Sequence, residues 1–196
     1  VIIVFVLAVI KAFYHTVSQG HALIITRLQS GAEVSFAGAV VWPIVNRVEV
    51  MDISLKTIEV DRRGANGLIC MDNIRADIRV TFFVRINKTA EDVIKVATSV
   101  GVIRASDQNT LEELFIAKFS EALKTVGKRM DFIDLYNQRD QFKDAIVKVI
   151  GRDLNGYSLE DAAIDFIEQT PLSLLDPDNI LDSEGRKKII ELTSIQ

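Results

Sequence analysis

Apolar side chains stand at every second position from Ile74 to Ile86, namely at 74, 76, 78, 80, 82, 84 and 86. Arg75, Asp77, Arg79, Thr81 and Arg85 fill most of the positions between them. A period of two predicts a long strand with one buried and one solvated face. Six of the seven inward residues are large, and each contributes about 1.5–3 kcal/mol when fully buried. This stretch therefore predicts the face on which helices pack. Upstream, Val48 and Val50 share one parity, Met51, Ile53 and Leu55 the other, and Ile58 and Val60 shift back. Such slips predict a strand with bulges or bends. Asp61–Gly67 reads as a turn, Leu68–Cys70 as a short strand, and Met71–Asn73 as a break before the long strand.

After Asn87 the period changes to 3.6. Thr89 and Asp92 are spaced as a capping box, with Val93, Val96 and Ala97 lining the face behind them. Thr110 and Glu113 repeat that signal. Leu111, Leu114, Phe115, Phe119, Ala122, Leu123 and Val126 follow as one stripe, ending at Gly127. A third helix is predicted after an Asp131–Tyr136 turn, with Phe142, Ala145, Ile146, Val149 and Ile150 inward. Ala163–Glu168 alternates and predicts a returning strand, and Pro177–Asn179 opens a last, charged helix. Strands, then helices, then a strand predict an α+β fold with a mostly antiparallel twisted sheet and helices packed on one face. No internal repeat or low-complexity segment interrupts it.

The chain begins with ten consecutive apolar residues, Val1–Ile10. As a helix they cover about 15 Å, half of a ~30 Å hydrocarbon core. A buried core segment and a cleaved signal peptide are the alternatives. A helix apolar on all sides needs complete cover in a soluble protein, and no small-residue cleavage pattern follows. The favoured reading is the end of a transmembrane helix, edged by Lys11, Phe13, Tyr14 and His15. The chain starts with Val and stops within a helical pattern, so further chain is expected on both sides. Ala22–Leu28 predicts a strand. Val34–Val45 then carries no charge and holds the single Trp, with Pro43 arguing against a central strand. It reads either as a lid over the core or as a surface dipping into the lipid interface. Beside an anchor the second reading is preferred. The predicted membrane contacts are Val1, Ile2, Ile3, Val4, Phe5, Val6, Leu7, Val9, Ile10, Phe13, Tyr14, Phe36, Val40, Val41 and Trp42.

Composition sharpens this picture in two places. Of 196 residues 48% are hydrophobic, mean hydropathy is +0.22, and the net charge is −4 with a pI near 5.3. That balance opposes nucleic-acid binding, whose footprint is basic. Cys70 is the single cysteine, which excludes an intrachain disulfide and a cysteine-based zinc site. His15 and His21 lie far in sequence from any nucleophile, and Gly64 and Gly67 lead into a strand rather than a phosphate-cradling helix. Glu112/Glu113 and Glu160/Asp161 read as first-turn acids explained by capping. No catalytic, cofactor or metal constellation emerges. Arg75, Asp77, Arg79 and Arg85 form the charged side of the long strand, either a solvated face or a seam to a neighbouring subunit.

Four words of this sequence, Val48–Val60, Gly67–Ile78, Lys118–Gly127 and Leu174–Leu181, resemble the flotillins, and best the flotillin-like inner-membrane proteins of Gram-negative bacteria. Flotillins belong to the stomatin/prohibitin/flotillin/HflKC (SPFH, band 7) group. The resemblance runs from about Gln19 onward. It implies an anchor and juxtamembrane segment at 1–17, an SPFH domain at 18–175 with a membrane-proximal part (18–50) and an α/β part (51–175), and the start of a coiled-coil helix at 176–196. It further implies a single-pass protein of the bacterial inner (plasma) membrane with the domain on the cytoplasmic side. Its expected role is a scaffold whose rings or cages organise membrane microdomains, with lipids, other copies of itself and an NfeD-type membrane protein as partners. The alternative role is an accessory subunit of a membrane protease or other membrane protein. No enzymatic activity comes with the family. A spanning-type segment departs from the acylated flotillins, so no acylation site is carried over.

Overall fold

A computed structural model describes residues 2–27, 31–42 and 45–195. The elements are α1 (Ile2–Phe13), β1 (Tyr14–Thr16), β2 (His21–Arg27), β3 (Gly31–Ser35), β4 (Gly38–Val40), β5 (Asn46–Asp52), β6 (Lys56–Arg62), β7 (Leu68–Ile69) and β8 (Arg75–Ile86). Then come α2 (Ala90–Ser99), α3 (Gln108–Gly127), α4 (Phe132–Asn137), α5 (Arg139–Ile150), β9 (Asp153–Leu154), β10 (Tyr157–Gln169) and α6 (Ile180–Ser194). The fold is α+β. The chain divides into two units, each assembled from separated segments.

The first unit takes Val1–Lys56, Val84–Leu111 and Asp153–Ser158. Its sheet has the order β3–β2–β5, both pairs antiparallel, with Ile24 of β2 opposite Val34 on one side and Glu49 on the other. Central placement buries both faces of β2 from Ala22 to Ile25. Leu23 and Ile25 pack with Val41, against Val17, Ala39 and Val48. β1 and β4 form a separate antiparallel ladder that pairs Tyr14 with Val40. Gly38 makes this ladder possible: its φ is +144° and a Cβ there would lie 2.7 Å from the His15 carbonyl oxygen. The predicted Thr89 cap is present, accepting from the Asp92 N–H. The Tyr157 hydroxyl donates to the Ala105 carbonyl at 2.9 Å, and burial pushes this phenol up to about 12.

The second unit takes Thr57–Phe83, Glu112–Arg152 and Leu159–Gln196. It holds most of a five-stranded sheet of order β6–β8–β10–β9, with β7 paired antiparallel to the start of β8. All seven inward residues of the long strand are buried, from Ile74 to Ile86. Phe82 meets Phe119 of α3 at 4.4 Å between ring centres, and Phe115 stacks on Phe119. α3 is seated on β7 through Gly127, where a Cβ would lie 2.6 Å from the Leu68 side chain. Leu175 and Ile189 cover Ile74 and dock α6.

These expectations change. α3 begins at Gln108, not at Thr110, because the Asp107 carboxylate accepts from both the Thr110 N–H (2.9 Å) and its hydroxyl (3.0 Å) and so starts the helix earlier. The Asp131–Tyr136 turn contains the short helix α4. The returning strand is 13 residues long rather than six and takes in Glu160 and Asp161, which are therefore not first-turn acids, and Val149 is 40% exposed instead of inward. Among the described residues no helix is long and apolar enough to cross a membrane. Val1 and Pro43, used in the sequence reading, lie outside the described residues.

Candidate functional site

Two surfaces carry the candidate residues, one in each unit. In the first unit α1 runs directly into β1, and Phe13 at their junction stacks on Trp42 with ring centres 5.2 Å apart. The Val41 N–H donates to the Phe13 carbonyl at 2.9 Å, tying the segment after β4 to the end of α1. Around this junction Ile10, Tyr14, Val40, Trp42 and Val45 are exposed, Trp42 by 53%. Ile3 is exposed on α1, and Val9 and Phe13 are half-buried. Val41 corrects the sequence reading: it is 2% exposed and packs on Leu23 and Ile25, so it belongs to the core. Phe36 is half-buried, with the Lys88 ammonium 5.8 Å from its ring. The backbone of Ile2, Val4, Phe5, Val6 and Leu7 is helical within α1; their side chains lie outside the described set.

The long strand presents its charged side in the second unit. Arg79 bridges to β6, donating Nε and Nη2 to Asp61 Oδ2 at 3.1 and 2.8 Å, with Glu59 at 3.4 Å. Hydrogen bonding to Asp61 raises this guanidinium further above its ordinary value. Arg79 and Arg63 both lie over the Phe166 ring, at 5.8 and 4.5 Å. Asp77 accepts from the Gly64 N–H at 2.9 Å and from the buried Thr170 hydroxyl at 2.5 Å. Arg85 is exposed at the far end of the strand, in the part that belongs to the first unit.

Arg75 does not belong to this exposed set. It is 7% exposed, and its Nε and Nη2 donate to Asp182 Oδ1 of α6 at 2.9 and 2.6 Å. Nη1 donates to the Ala65 carbonyl at 2.7 Å, and Asp182 Oδ2 accepts from the Asp176 N–H at 3.1 Å. The alternation failed at this end because α6 and the Gly64–Asn66 turn cover a position that the strand pattern alone leaves wet. Sequence reasoning missed Asp182, whose one signal was its place in the first turn of a helix.

Cys70 is fully buried; desolvation, then the negative Asp72, pushes its thiol up to about 12. His15 is exposed on β1, and His21 Nδ1 lies 3.3 Å from the Gln19 carbonyl. No three His, Cys, Asp or Glu side chains among the described residues are placed to hold a metal ion.

The first unit's three-stranded antiparallel sheet and the second unit's mixed strands and helices are the frame that carries these residues. Residues 15–171 match the SPFH domain / Band 7 family, and the chain belongs to it. It is flotillin-like: it is similar to the flotillin family inner membrane protein YqiK of Escherichia coli (strain K12), at 30% identity over 196 residues. It is also similar to the flotillin family inner membrane protein sll1021 of Synechocystis sp. (strain ATCC 27184 / PCC 6803 / Kazusa), at 25% identity over 141 residues, 70% of this chain. The first match covers 98% of this chain but 35% of the relative's length, and the second 21% of the relative's.

Proposed function

We propose that this chain is the SPFH part of a membrane-anchored scaffold that assembles side by side into rings or cages and organises a patch of bilayer. The observation that carries the reading is the apolar junction of α1, β1 and Trp42, where exposed Ile10, Tyr14, Val40, Trp42 and Val45 surround the Phe13–Trp42 stack. Tyr and Trp are favoured where one end of the side chain is apolar and the other wet. The names of the two relatives, both inner membrane proteins, support the same place. α1 has 12 residues, about 18 Å at 1.5 Å per residue, and serves as the end of a longer anchor, with the domain on the cytoplasmic side. Many weak lipid contacts, one set per subunit, add by avidity once subunits are held together.

Trp42 is the single tryptophan and reports directly on this surface. In liposomes its emission should shift to the blue and lose quenching by water-soluble agents, and full-length protein in mild detergent should appear as uniform closed assemblies. A monodisperse monomer with a Trp42 that stays fully quenchable in lipid refutes the scaffold reading.

A further inference from the structure

Strand β10 leaves one edge of the second unit's sheet open. β9 pairs only with Tyr157 and Ser158, and the Leu159 N–H donates to the Arg152 carbonyl at 3.0 Å. From Glu160 to Gln169 no strand among the described residues pairs with that edge. Natural proteins cover, blunt or use such edges, because their backbone groups template another strand. Asp161 blunts β10 once, its Oδ1 accepting from the Ala162 N–H at 2.8 Å. Further along lies an open groove of about 420 Å³, lined by residues 165–169 together with Phe132 and Tyr136 of α4 and Arg139 of α5.

The two sides of this groove differ in chemistry. The Phe132 and Tyr136 rings lie 6.4 Å apart, and the Arg139 guanidinium stands 5.2 Å from the Tyr136 ring centre, so the helical side is aromatic. On the strand Ile167 is buried, whereas Asp165 and Glu168 are exposed. Asp165 uses one oxygen, accepting from the Thr81 hydroxyl at 2.8 Å. The Glu168 side chain has no hydrogen bond or ion pair among the described residues. β10 carries Glu160, Asp161, Asp165 and Glu168 and no Lys or Arg. Lys143 comes within 3.9 Å of Asp161, and Arg63 and Arg79 over Phe166 are both held by Asp61. The strand side of the groove therefore keeps unspent negative charge.

Successive side chains of a strand point to opposite faces. A strand added beside residues 165–169 would turn one set of side chains to the carboxylates and the other set to the rings. The geometry points to an extended segment of another protein, with basic and apolar side chains in alternation, as the occupant of this edge. Main-chain bonds to β10 hold it, and the alternation sets its register. The β10 strand of a second copy is a poor occupant, because it would set acidic side chains against acidic ones. The site lies wholly in the second unit and depends neither on the lipid contact nor on how copies assemble.

Peptide titration of the assembled full-length protein in mild detergent tests it. The probes are short fluorescent peptides alternating Lys and Val, alternating Glu and Val, or carrying the same Lys and Val in two blocks. The alternating Lys/Val peptide should bind about tenfold tighter than either of the others. Asp165→Asn combined with Glu168→Gln should abolish that preference, and Glu168→Lys should move it towards the Glu/Val peptide. Two further Lys/Val peptides are N-methylated, one on its Lys residues and one on its Val residues. Only one of these sets turns its N–H groups to β10, so one peptide should lose binding and the other keep it. Absence of binding, equal binding of the Lys/Val and Glu/Val peptides, or a preference that survives the double variant overturns the proposal. So does equal binding of the two methylated forms. Binding that appears only after dispersal to monomers overturns it too, by showing a second copy on the edge.

Discussion

Arg75 and Asp182, 107 residues apart in sequence, form a buried pair with nitrogen–oxygen distances of 2.6 and 2.9 Å. The pair joins the first residue of the long strand to the first turn of the last helix. Its remaining groups are also occupied, Nη1 by the Ala65 carbonyl and Oδ2 by the Asp176 N–H. Removing one partner strands the other charge in the interior, a loss of about 3–5 kcal/mol, whereas replacing both by apolar groups of similar volume costs far less. Asp182→Ala should lower the urea midpoint steeply, and Arg75→Met with Asp182→Leu should recover most of it. A double variant that loses the sum of the separate Arg75→Met and Asp182→Leu losses would show that the pair is not coupled.

That pair also marks where the sequence stops being legible. The strand pattern placed β8 and its inward residues because burial on one face is a local, period-two property. The fate of Arg75 depends on α6, more than a hundred residues away, and no local pattern carries it. Val41 tells the same story in the first unit: it sits in an apolar run that reads as uniform, yet β2 claims Val41 for the core and leaves Val40 and Trp42 outside. Asp107 shows the opposite failure. Asp107, three residues before Thr110, is a local cap that wins over the Thr110–Glu113 capping-box spacing.

Gly185 lets α6 come close to the Cys70–Asn73 turn, and a Cβ there would overlap the Asn73 carbonyl. The contact is with backbone, which cannot rotate away. Asn73 itself sits at φ +62° and donates to Glu184 Oε2 at 2.6 Å. Gly185→Ala should therefore destabilise by about 1–3 kcal/mol, as overpacking does, although alanine is the better helix former. Thermal unfolding measures this; an unchanged or higher midpoint would show that α6 is free to shift.

Acid should weaken the first unit through Asp52. Burial raises this carboxyl, but hydrogen bonds from Lys56 at 2.6 Å and the Ser54 N–H at 2.8 Å outweigh it and hold the group at about 2, against an ordinary 3.8. A depressed carboxylate stabilises the fold above its unfolded value, and that stabilisation is lost as pH falls from about 4 towards 2. The side chain is 30% exposed, so screening limits its share to at most about 2 kcal/mol. Asp52→Asn should flatten the stability profile between pH 4 and 2, read by chemical denaturation at each pH.

Cys70 should behave as an inert thiol. Raised to about 12 and fully buried, it is protonated and shielded at neutral pH, and thiolate is the reactive form. Native protein at pH 8 should react with a thiol reagent only as fast as the second unit opens, and denaturant should release the full stoichiometry at once. Rapid labelling of native protein would contradict the placement of Cys70 behind the Asp72 turn.

Neighbouring residues Val41 and Trp42 should respond oppositely to truncation, because one is core and the other surface. Val41 is 2% exposed against Leu23 and Ile25. Val41→Ala leaves a cavity and should cost about 1–2 kcal/mol of stability with liposome binding unchanged once the protein is folded. Trp42 is 53% exposed and stacks its ring on Phe13. Trp42→Ser should cost less than about 1 kcal/mol, the scale of one aromatic pair, but should weaken liposome association several-fold. Flotation with vesicles and denaturant melts of the same samples separate the two effects. Were Trp42→Ser to unfold the first unit while Val41→Ala did not, Trp42 would be the lid of the core and the lipid-facing role would pass to Tyr14 and Val40.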